Sequence, residues 1–481
     1  MTINVVIVGG GPAGISAALA AADAGARVTM LEAGRQLGGQ YWRHLSDDAP
    51  QQDRDSQGSL HHGWNRFQRL NERATSHPGI DVRYETSVWS VSSTGTPGVP
   101  ATTTGISGLG IDIASGPADG TDRTLETLTP DALVIATGAH DRTLPFPGWD
   151  LPGVYTGGAA QAIAKSEGVA LGDNVIVAGA GPFLLPVAAS LTHAGARVLS
   201  VNEANRLPRM AAGWLPRPWQ LAGAPNKVAE LVGYAAGHLK HRIPYNVGRA
   251  VVAAEGAECV ERAVIAEVDA DWKPVPGTER TVACDALCVT HGFVPRLEVA
   301  VAVGCDLSSE RFVIIDEACA TSVDGVHAAG ELTGVGGVDL ALAEGTVAGH
   351  CAAGGRPGDA EIRSAQQRRR IFGSFAGRIE AAHGIRPGWT DWVTPDTVVC
   401  RCEEVTASEL RRKAQATGSA SLRSQKLSTR AGLGVCQGRI CGRSAEELLA
   451  AAVGVDHLDE GIVDRRPVQT PVRLGELAGQ Q

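Results

Sequence analysis

Val5-Val6-Ile7-Val8-Gly9-Gly10-Gly11-Pro12-Ala13-Gly14 opens a stretch that runs on to Glu32, and its reading decides the fold. Four branched apolar residues in a row predict a strand buried on both faces. Gly9, Gly11 and Gly14 then place G-x-G-x-x-G at the strand's end. Gly9 permits a sharp turn, and Gly11 lets backbone approach a pyrophosphate with no Cβ in the way. Gly14 lets the following helix pack close to the sheet. That helix, Ala13 to Ala24, follows Pro12 and is mostly alanine with Ile15 and Leu19, small enough to sit tightly on a sheet. Its free N–H groups and positive dipole end face the phosphates. A second strand, Ala26 to Leu31, ends in Glu32, placed to accept hydrogen bonds from a ribose. Strand, helix, second strand and acid in register make a dinucleotide-binding unit.

A chain of 481 residues exceeds one core, so two to four domains are expected. The 60 glycines suit α/β folds with many tight strand–helix turns. A net charge of −9 leaves no basic footprint and argues against a nucleic-acid partner. No apolar run reaches the ~20 residues that span a bilayer. The N-terminus lacks a basic leader and cleavage site, so a cytoplasmic location is expected. Ten cysteines in such a protein point to buried thiols or metal ligands rather than disulfides.

Beyond Glu32 stands Gly38-Gly39-Gln40-Tyr41-Trp42-Arg43, where a flavoprotein chain passes the diphosphate again. Trp42 and Arg43 either flank a flavin ring or cap a surface loop. Residues 44–62 read as an exposed excursion, and Trp89 to about Asp122 as short strands and turns or a loose loop rather than a helix. Asp131 to Gly138 is a buried strand ending in the turn Ala136-Thr137-Gly138, where a chain with two dinucleotide folds leaves the first for the second. Pro145, Pro147 and Pro152 make the connection stiff. A second unit starts at Asn174 and reaches Gly179-Ala180-Gly181, with a second strand from Ala196 to Val201 and an acid at Glu203. Leu184 stands where the third glycine belongs and Pro186 interrupts the first helical turns, which weighs against NAD(P) and leaves a retained fold without nicotinamide as the other reading. From Arg206 the chain is expected to be irregular until a helix from about Val228 to His238. Asp285 to Gly292 closes the second unit. Gly325 to Glu331 returns to the first sheet, with a helix from about Leu340 to Cys351. The acid after Gly330 is placed to hold a hydroxyl of a ribityl chain, and the helix N-terminus to face the flavin pyrimidine edge. Glu331 is one methylene longer than the aspartate usual at this turn.

Cys400 and Cys402 are separated by thirty-three residues from Cys436 and Cys441. Four thiolates in two close pairs suit tetrahedral sulfur coordination, and zinc and a [2Fe–2S] cluster both fit the count. Arg401, Lys426, Arg430 and Arg439 can offset an anionic cluster, and Gly432, Gly434, Gly438 and Gly442 let backbone N–H groups approach sulfur, which favours iron. The other cysteines, Cys259, Cys284, Cys288, Cys305, Cys319 and Cys351, read as core residues, and none forms a C-x-x-C.

Four features together resemble the α subunits of heteromeric flavin-dependent amine dehydrogenases, which include octopine and nopaline oxidases, hydroxyproline dehydrogenases and the hydrogen cyanide synthase flavoprotein. They are Gly38 to Arg43, the segment Phe146-Pro147-Gly148-Trp149…Leu151-Pro152-Gly153-Val154, Ala329-Gly330-Glu331, and the cysteine quartet. The quartet is similar to a bacterioferritin-associated-ferredoxin (BFD) type [2Fe–2S] domain. The resemblance implies an α/β chain with two glutathione-reductase-like dinucleotide folds, the second inserted in the first, and a small C-terminal [2Fe–2S] domain. The expected partition is 1–150 with 293–355 for FAD, 151–292 for the NAD(P)-binding-like fold, 356–395 as a helical linker, 396–460 for the cluster and 461–481 as a tail. FAD is expected on Gly9, Gly11, Pro12, Ala13, Gly14, Glu32, Gly39, Gln40, Trp42, Arg43, Thr137, Gly138, Gly330 and Glu331, and the cluster on Cys400, Cys402, Cys436 and Cys441. It also implies a flavoprotein β subunit that oxidises an amino acid or opine, and an FMN at a subunit interface. Two rival readings remain: a stand-alone NAD(P)H-dependent FAD/[2Fe–2S] oxidoreductase, and a scaffold whose nucleotide and metal are structural.

Overall fold

Asn4–Val8 forms the middle of a five-stranded parallel sheet, flanked by Ala132–Ile135 and Val326–Ala328 on one side and by Arg27–Leu31 and Ile80–Arg83 on the other. The apolar run fixes this place, because Val5, Val6, Ile7 and Val8 are all buried and only a central strand covered on both faces buries successive side chains. The computed structural model describes residues 2–46, 49, 58, 60–93, 105–216, 223–418, 421–455, 465–466 and 468–479. Most of the excursion read over 44–62 lies outside the described residues.

The chain divides into two compact units. The first comprises Met1–His140, Pro295–Gly377 and Asp464–Gln481; the second comprises Asp141–Val294 and Arg378–Val463. In the first unit, helix Pro12–Asp23 packs backbone to backbone on helix Val338–Ala352. A Cβ on Gly345 would stand 2.1 Å from the Ala13 carbonyl oxygen, and one on Gly349 2.0 Å from that of Ala17. The two glycines are therefore required, and the spacing small-x-x-x-small in that helix is the signal that places it. Thr86–Ser93, Leu109–Ser115 and Thr124–Leu128 form an antiparallel sheet where short strands were expected. The last segment returns to this unit: Gln469 N–H donates to the Trp89 carbonyl at 2.8 Å. Arg123 meets Glu476 through two guanidinium nitrogens at 2.9 and 2.7 Å.

The second unit repeats the plan. Its parallel sheet runs Tyr245–Val247, Arg197–Glu203, Asn174–Gly179, Ala286–Thr290, Val154–Thr156, beside an antiparallel sheet of Arg249–Glu255, Arg262–Glu267 and Arg280–Ala283. The expectation that Pro186 disrupts a helix fails. The helix spans Leu184–His193, so Pro186 lies in its first turn, where no N–H is needed. The stretch after Arg206 is likewise helical over Leu207–Trp214, because Pro208 again falls in a first turn. Helix Pro225–His241 is longer than expected at both ends. Residues 363–383 form one helix, Arg363–His383, inside the expected linker. The cysteine module packs within this unit. Trp149 Nε1 donates to the Val398 carbonyl, Ser444 Oγ to the buried Thr143 carbonyl at 2.6 Å, and Arg142 pairs with Glu447 at 2.7 Å. Among the described residues, no helix is long and apolar enough to cross a membrane.

Candidate functional site

In the first unit the Gly-rich turn converges with two other glycine turns. Gly38 N–H donates to the Gly10 carbonyl at 2.9 Å, and a Cβ on Gly39 would stand 2.9 Å from the Gly11 Cα. Gly330, with φ +85°, packs on Ala13. Gly14 is fixed by its neighbour: a Cβ there would lie 1.8 Å from the Gly9 carbonyl oxygen. Gly11 is different. A Cβ there would meet only the Gly39 Cα at 3.8 Å, so the space in front of this turn is open beside the free N–H groups of helix Pro12–Asp23. An open cradle lined by backbone at a helix N-terminus fits a diphosphate. Glu32 closes the turn, accepting from Gly10 N–H at 2.8 Å and Gly34 N–H at 2.7 Å, and each oxygen keeps a second lone pair.

The other expected residues divide. Thr137 Oγ1 donates to the Arg296 carbonyl, whose N–H bonds back to the Gly138 carbonyl, so these two residues shape the chain's exit from the sheet. Gln40 is exposed and Arg43 half-buried. Trp42 neither flanks an open site nor caps a loop. It is buried in the core, stacked on Phe67 at 5.2 Å and donating Nε1 to the His62 carbonyl. The loop folds inward because Gly38, at φ +116°, turns it beneath Phe67, which the sequence motif alone does not signal.

Glu331 accepts from Gly337 N–H at 2.8 Å through Oε1, while Oε2 is buried with no partner. Burial pushes its carboxyl up to about 7. A buried acceptor in want of a donor, beside the open turn, fits a ribityl hydroxyl. Sequence reasoning missed Glu344, which holds this turn from behind by accepting from Gly330 N–H at 2.9 Å and Thr333 Oγ1 at 2.7 Å, and whose carboxyl burial also raises. The raised Glu331 carboxyl should make the stability of the flavin-free protein depend on pH. Its folded value lies above the ordinary carboxyl value, so the folded state holds the proton more tightly. Stability is full below the ordinary value and falls as pH rises to about 7, by about 3 kcal/mol for this group. Urea midpoints of flavin-free protein should decline over that interval, and the decline should shrink in Glu331→Gln; a flat profile in the parent refutes the burial argument.

In the second unit, strand Val398–Cys400 and the loop before helix Gly442–Val453 bring the four thiols together. The Cys441 sulfur lies within hydrogen-bonding reach of Cys400 and Cys436, and that proximity lowers those two thiols and raises its own; burial raises Cys402, which lies beside Cys436. Backbone amides already point at sulfur. Gly432 N–H donates to Cys400 Sγ at 3.5 Å, and the amides of Ile440 and Gly438 serve Cys436. Gly434 makes room for Cys402, whose Cβ would be 2.3 Å from a Cβ there. Gly442 plays no such part and instead donates to the Gly438 carbonyl. Four converging thiols with amide donors fit a thiolate-held cluster. Arg430 pairs with Glu403 at 2.6 Å, so its charge is shared rather than reserved for sulfur. Of the remaining cysteines, Cys259 is exposed, against the expectation of a core position; the other five are buried or half-buried.

Comparisons with known proteins agree with both halves. Residues 3–350 match the pyridine nucleotide-disulphide oxidoreductase family, and residues 398–451 match the BFD-like [2Fe-2S] binding domain. The HcnB subunit of hydrogen cyanide synthase from Pseudomonas protegens is 30% identical over 94% of this chain and 93% of its own length. An opine oxidase subunit of Agrobacterium tumefaciens is 30% identical over 99% of this chain and 91% of its own. Among solved structures, L-proline dehydrogenase from P. horikoshii shares the fold at TM-score 0.65 and 20% identity, covering 99% of this chain and 79% of that one. The chain belongs to the flavoprotein family that holds these opine oxidase and hydrogen cyanide synthase subunits, FAD-dependent oxidoreductase subunits that join a pyridine nucleotide-disulphide oxidoreductase fold to a C-terminal BFD-like [2Fe-2S] domain.

Proposed function

We propose that this chain is the electron-transfer α subunit of a heteromeric flavin-dependent dehydrogenase. A partner flavoprotein β subunit oxidises an amino acid, opine or hydroxyproline, and electrons pass through flavin and a [2Fe–2S] cluster. The observation that carries this reading is the four-thiol site on a chain whose relatives are themselves named as subunits. FAD bound in the first unit supplies exchange between two-electron and one-electron steps, and the cluster takes single electrons. The chain's own residues do the positioning. Gly9, Gly11 and Gly14 admit the diphosphate to the helix N-terminus, Glu32 offers its remaining lone pairs to the ribose, and Glu331 Oε2 accepts from the ribityl chain. Cys400, Cys402, Cys436 and Cys441 ligate the cluster, with the Gly432 and Gly438 amides donating to ligand sulfur.

The test is expression of this chain alone and together with the flavoprotein encoded beside it, each assayed for dye reduction with opines, prolines and hydroxyprolines. The lone chain is expected to give no substrate-dependent rate, and the pair a clear one. Equal rates from the lone chain would overturn the two-subunit reading.

A further inference from the structure

The second parallel sheet repeats the first, yet its opening turn is arranged differently. Gly179 corresponds to Gly9: a Cβ on either would strike the carbonyl of the neighbouring strand's end, Thr290 or Ala136. The strand Arg197–Glu203 carries one residue more than its counterpart, and the slip in its pairing between Val175 and Ile176 absorbs it, so Glu203 stands opposite Gly179 as the pairing of Val8 with Leu31 brings Glu32 level with Gly9. The hydrogen-bond partner of the acid nevertheless changes. Glu32 accepts from Gly10, the residue between the motif glycines, whereas Glu203 accepts from Gly181, the second motif glycine itself, at 2.8 Å. That N–H lies on the backbone a diphosphate must approach. A carboxylate and a diphosphate cannot both have it.

Glu203 is also wholly buried and fully engaged. It accepts from Asn205 N–H at 3.0 Å and Asn205 Nδ2 at 2.8 Å, and it meets His383 Nδ1 at 3.2 Å. Trp214 Nε1 donates to His383 Nε2 at 3.1 Å, which leaves the proton on Nδ1 to be donated to Glu203. His383 lies against the turn, its Cβ an ordinary 3.6 Å from where a Cβ on Gly181 would be, where the first fold has the Gly39 Cα at 3.8 Å from that of Gly11. The difference is what the neighbour is: in the second fold it carries an imidazole hydrogen-bonded to the acid, in the first it is a bare glycine. The backbone around His383 and its partner Trp214 is tied down at three points. Asn205 Nδ2 donates to the His383 carbonyl, Arg378 Nη1 donates to the Trp214 carbonyl at 2.7 Å, and Gly213 lies so close to Ala382 that a Cβ would come within 2.5 Å of its nitrogen. Trp272 Nε1 in turn donates to Asn205 Oδ1. Leu184, at the third glycine's place, is fully buried core.

We infer that the second dinucleotide fold is closed to NAD(P), its diphosphate ground being occupied by the chain's own Glu203–His383 pair. The residues do not fit the nucleotide that the family's name implies. Entry would require breaking buried hydrogen bonds of both side chains and exposing Glu203 without partners, a cost the nucleotide would have to offset at the turn it enters. Electrons therefore do not enter this chain through a nicotinamide held in the second fold. The inference concerns the second fold alone and stands whether or not a β subunit performs the oxidation.

The experiment uses the full chain loaded with FAD and cluster, kept without air, and exposed to millimolar NADH or NADPH. Hydrogen–deuterium exchange is followed over residues 179–185 and flavin absorbance is recorded alongside. Exchange at the Gly181 amide should be slow before any nucleotide is added, and neither nucleotide should slow it further or bleach the flavin. His383→Ala should speed exchange over this segment by about tenfold or more while flavin content holds. Added protection by either nucleotide, saturable bleaching, or fast exchange in the parent would each overturn the closure. So would unchanged exchange in a flavin-replete His383→Ala. The two-subunit assay reads substrate oxidation and this one reads nucleotide contact, so either can fail alone.

Discussion

Gly11→Val is expected to fold as the parent does and to emerge free of flavin. Two observations separate this glycine from its neighbours. Its backbone is extended, with φ −78° and ψ −174°, so a branched residue adopts it without strain. Its Cβ position meets only the Gly39 Cα at an ordinary 3.8 Å, so the protein itself offers no obstacle. The valine methyls instead occupy the open space in front of the helix N-terminus, which the diphosphate needs. FAD affinity should fall by about 100-fold or more, on the order of 3 kcal/mol. Gly14→Ala is the contrasting case. Its Cβ would stand 1.8 Å from the Gly9 carbonyl oxygen, so helix and sheet must separate, at a cost on the order of 3 kcal/mol. Flavin absorbance per chain and the melting midpoint of the apoprotein distinguish the two. Full flavin occupancy in Gly11→Val would remove the diphosphate from this turn.

Cys436→Ala is expected to abolish the metal centre while leaving FAD in place. Cys436 lies beside both Cys441 and Cys402 and carries two backbone amide donors, so it joins the two halves of the quartet. The parent should contain iron and acid-labile sulfide at about two each per chain, with the charge-transfer absorption of a thiolate-bound cluster. The variant should lose both. Flavin content is the internal control, because the residues proposed to hold FAD and the cysteines belong to different compact units. Zinc at about one per chain with no sulfide, in parent protein prepared without air, would show that the thiols hold a structural metal instead.

Both variants depend on features that were legible in sequence to different degrees. Val5 to Glu32 carries its fold in local pattern: a buried-strand run, three spaced glycines, an alanine-rich helix and an acid. Each acts on its immediate neighbours, so no distant residue is needed to read them. The cysteine quartet was legible for a similar reason, since close thiol pairs have few other uses in such a chain. The relation between the pairs, with Cys441 beside both Cys400 and Cys436, is set by helix Gly442–Val453 and strand Val398–Cys400, which the spacing does not describe.

What sequence alone determined about this protein is its class: two dinucleotide folds and a four-thiol module, because periodicity, glycine spacing and cysteine pairing are local properties. Tertiary structure decided which sites are open. Trp42 sits in a motif beside the diphosphate turn yet packs on Phe67, because burying an indole outweighs leaving it at a loop tip. Glu344 holds the Gly330 turn from a helix further along the chain, a contact made only when that helix docks on Ala13 through Gly345. Glu203 and Glu32 look alike in sequence. Yet Glu203 holds the Gly181 N–H and meets His383, which arrives from 180 positions along the chain. Long-range docking of this kind is decided by packing of whole elements against one another, and a linear pattern carries no record of it.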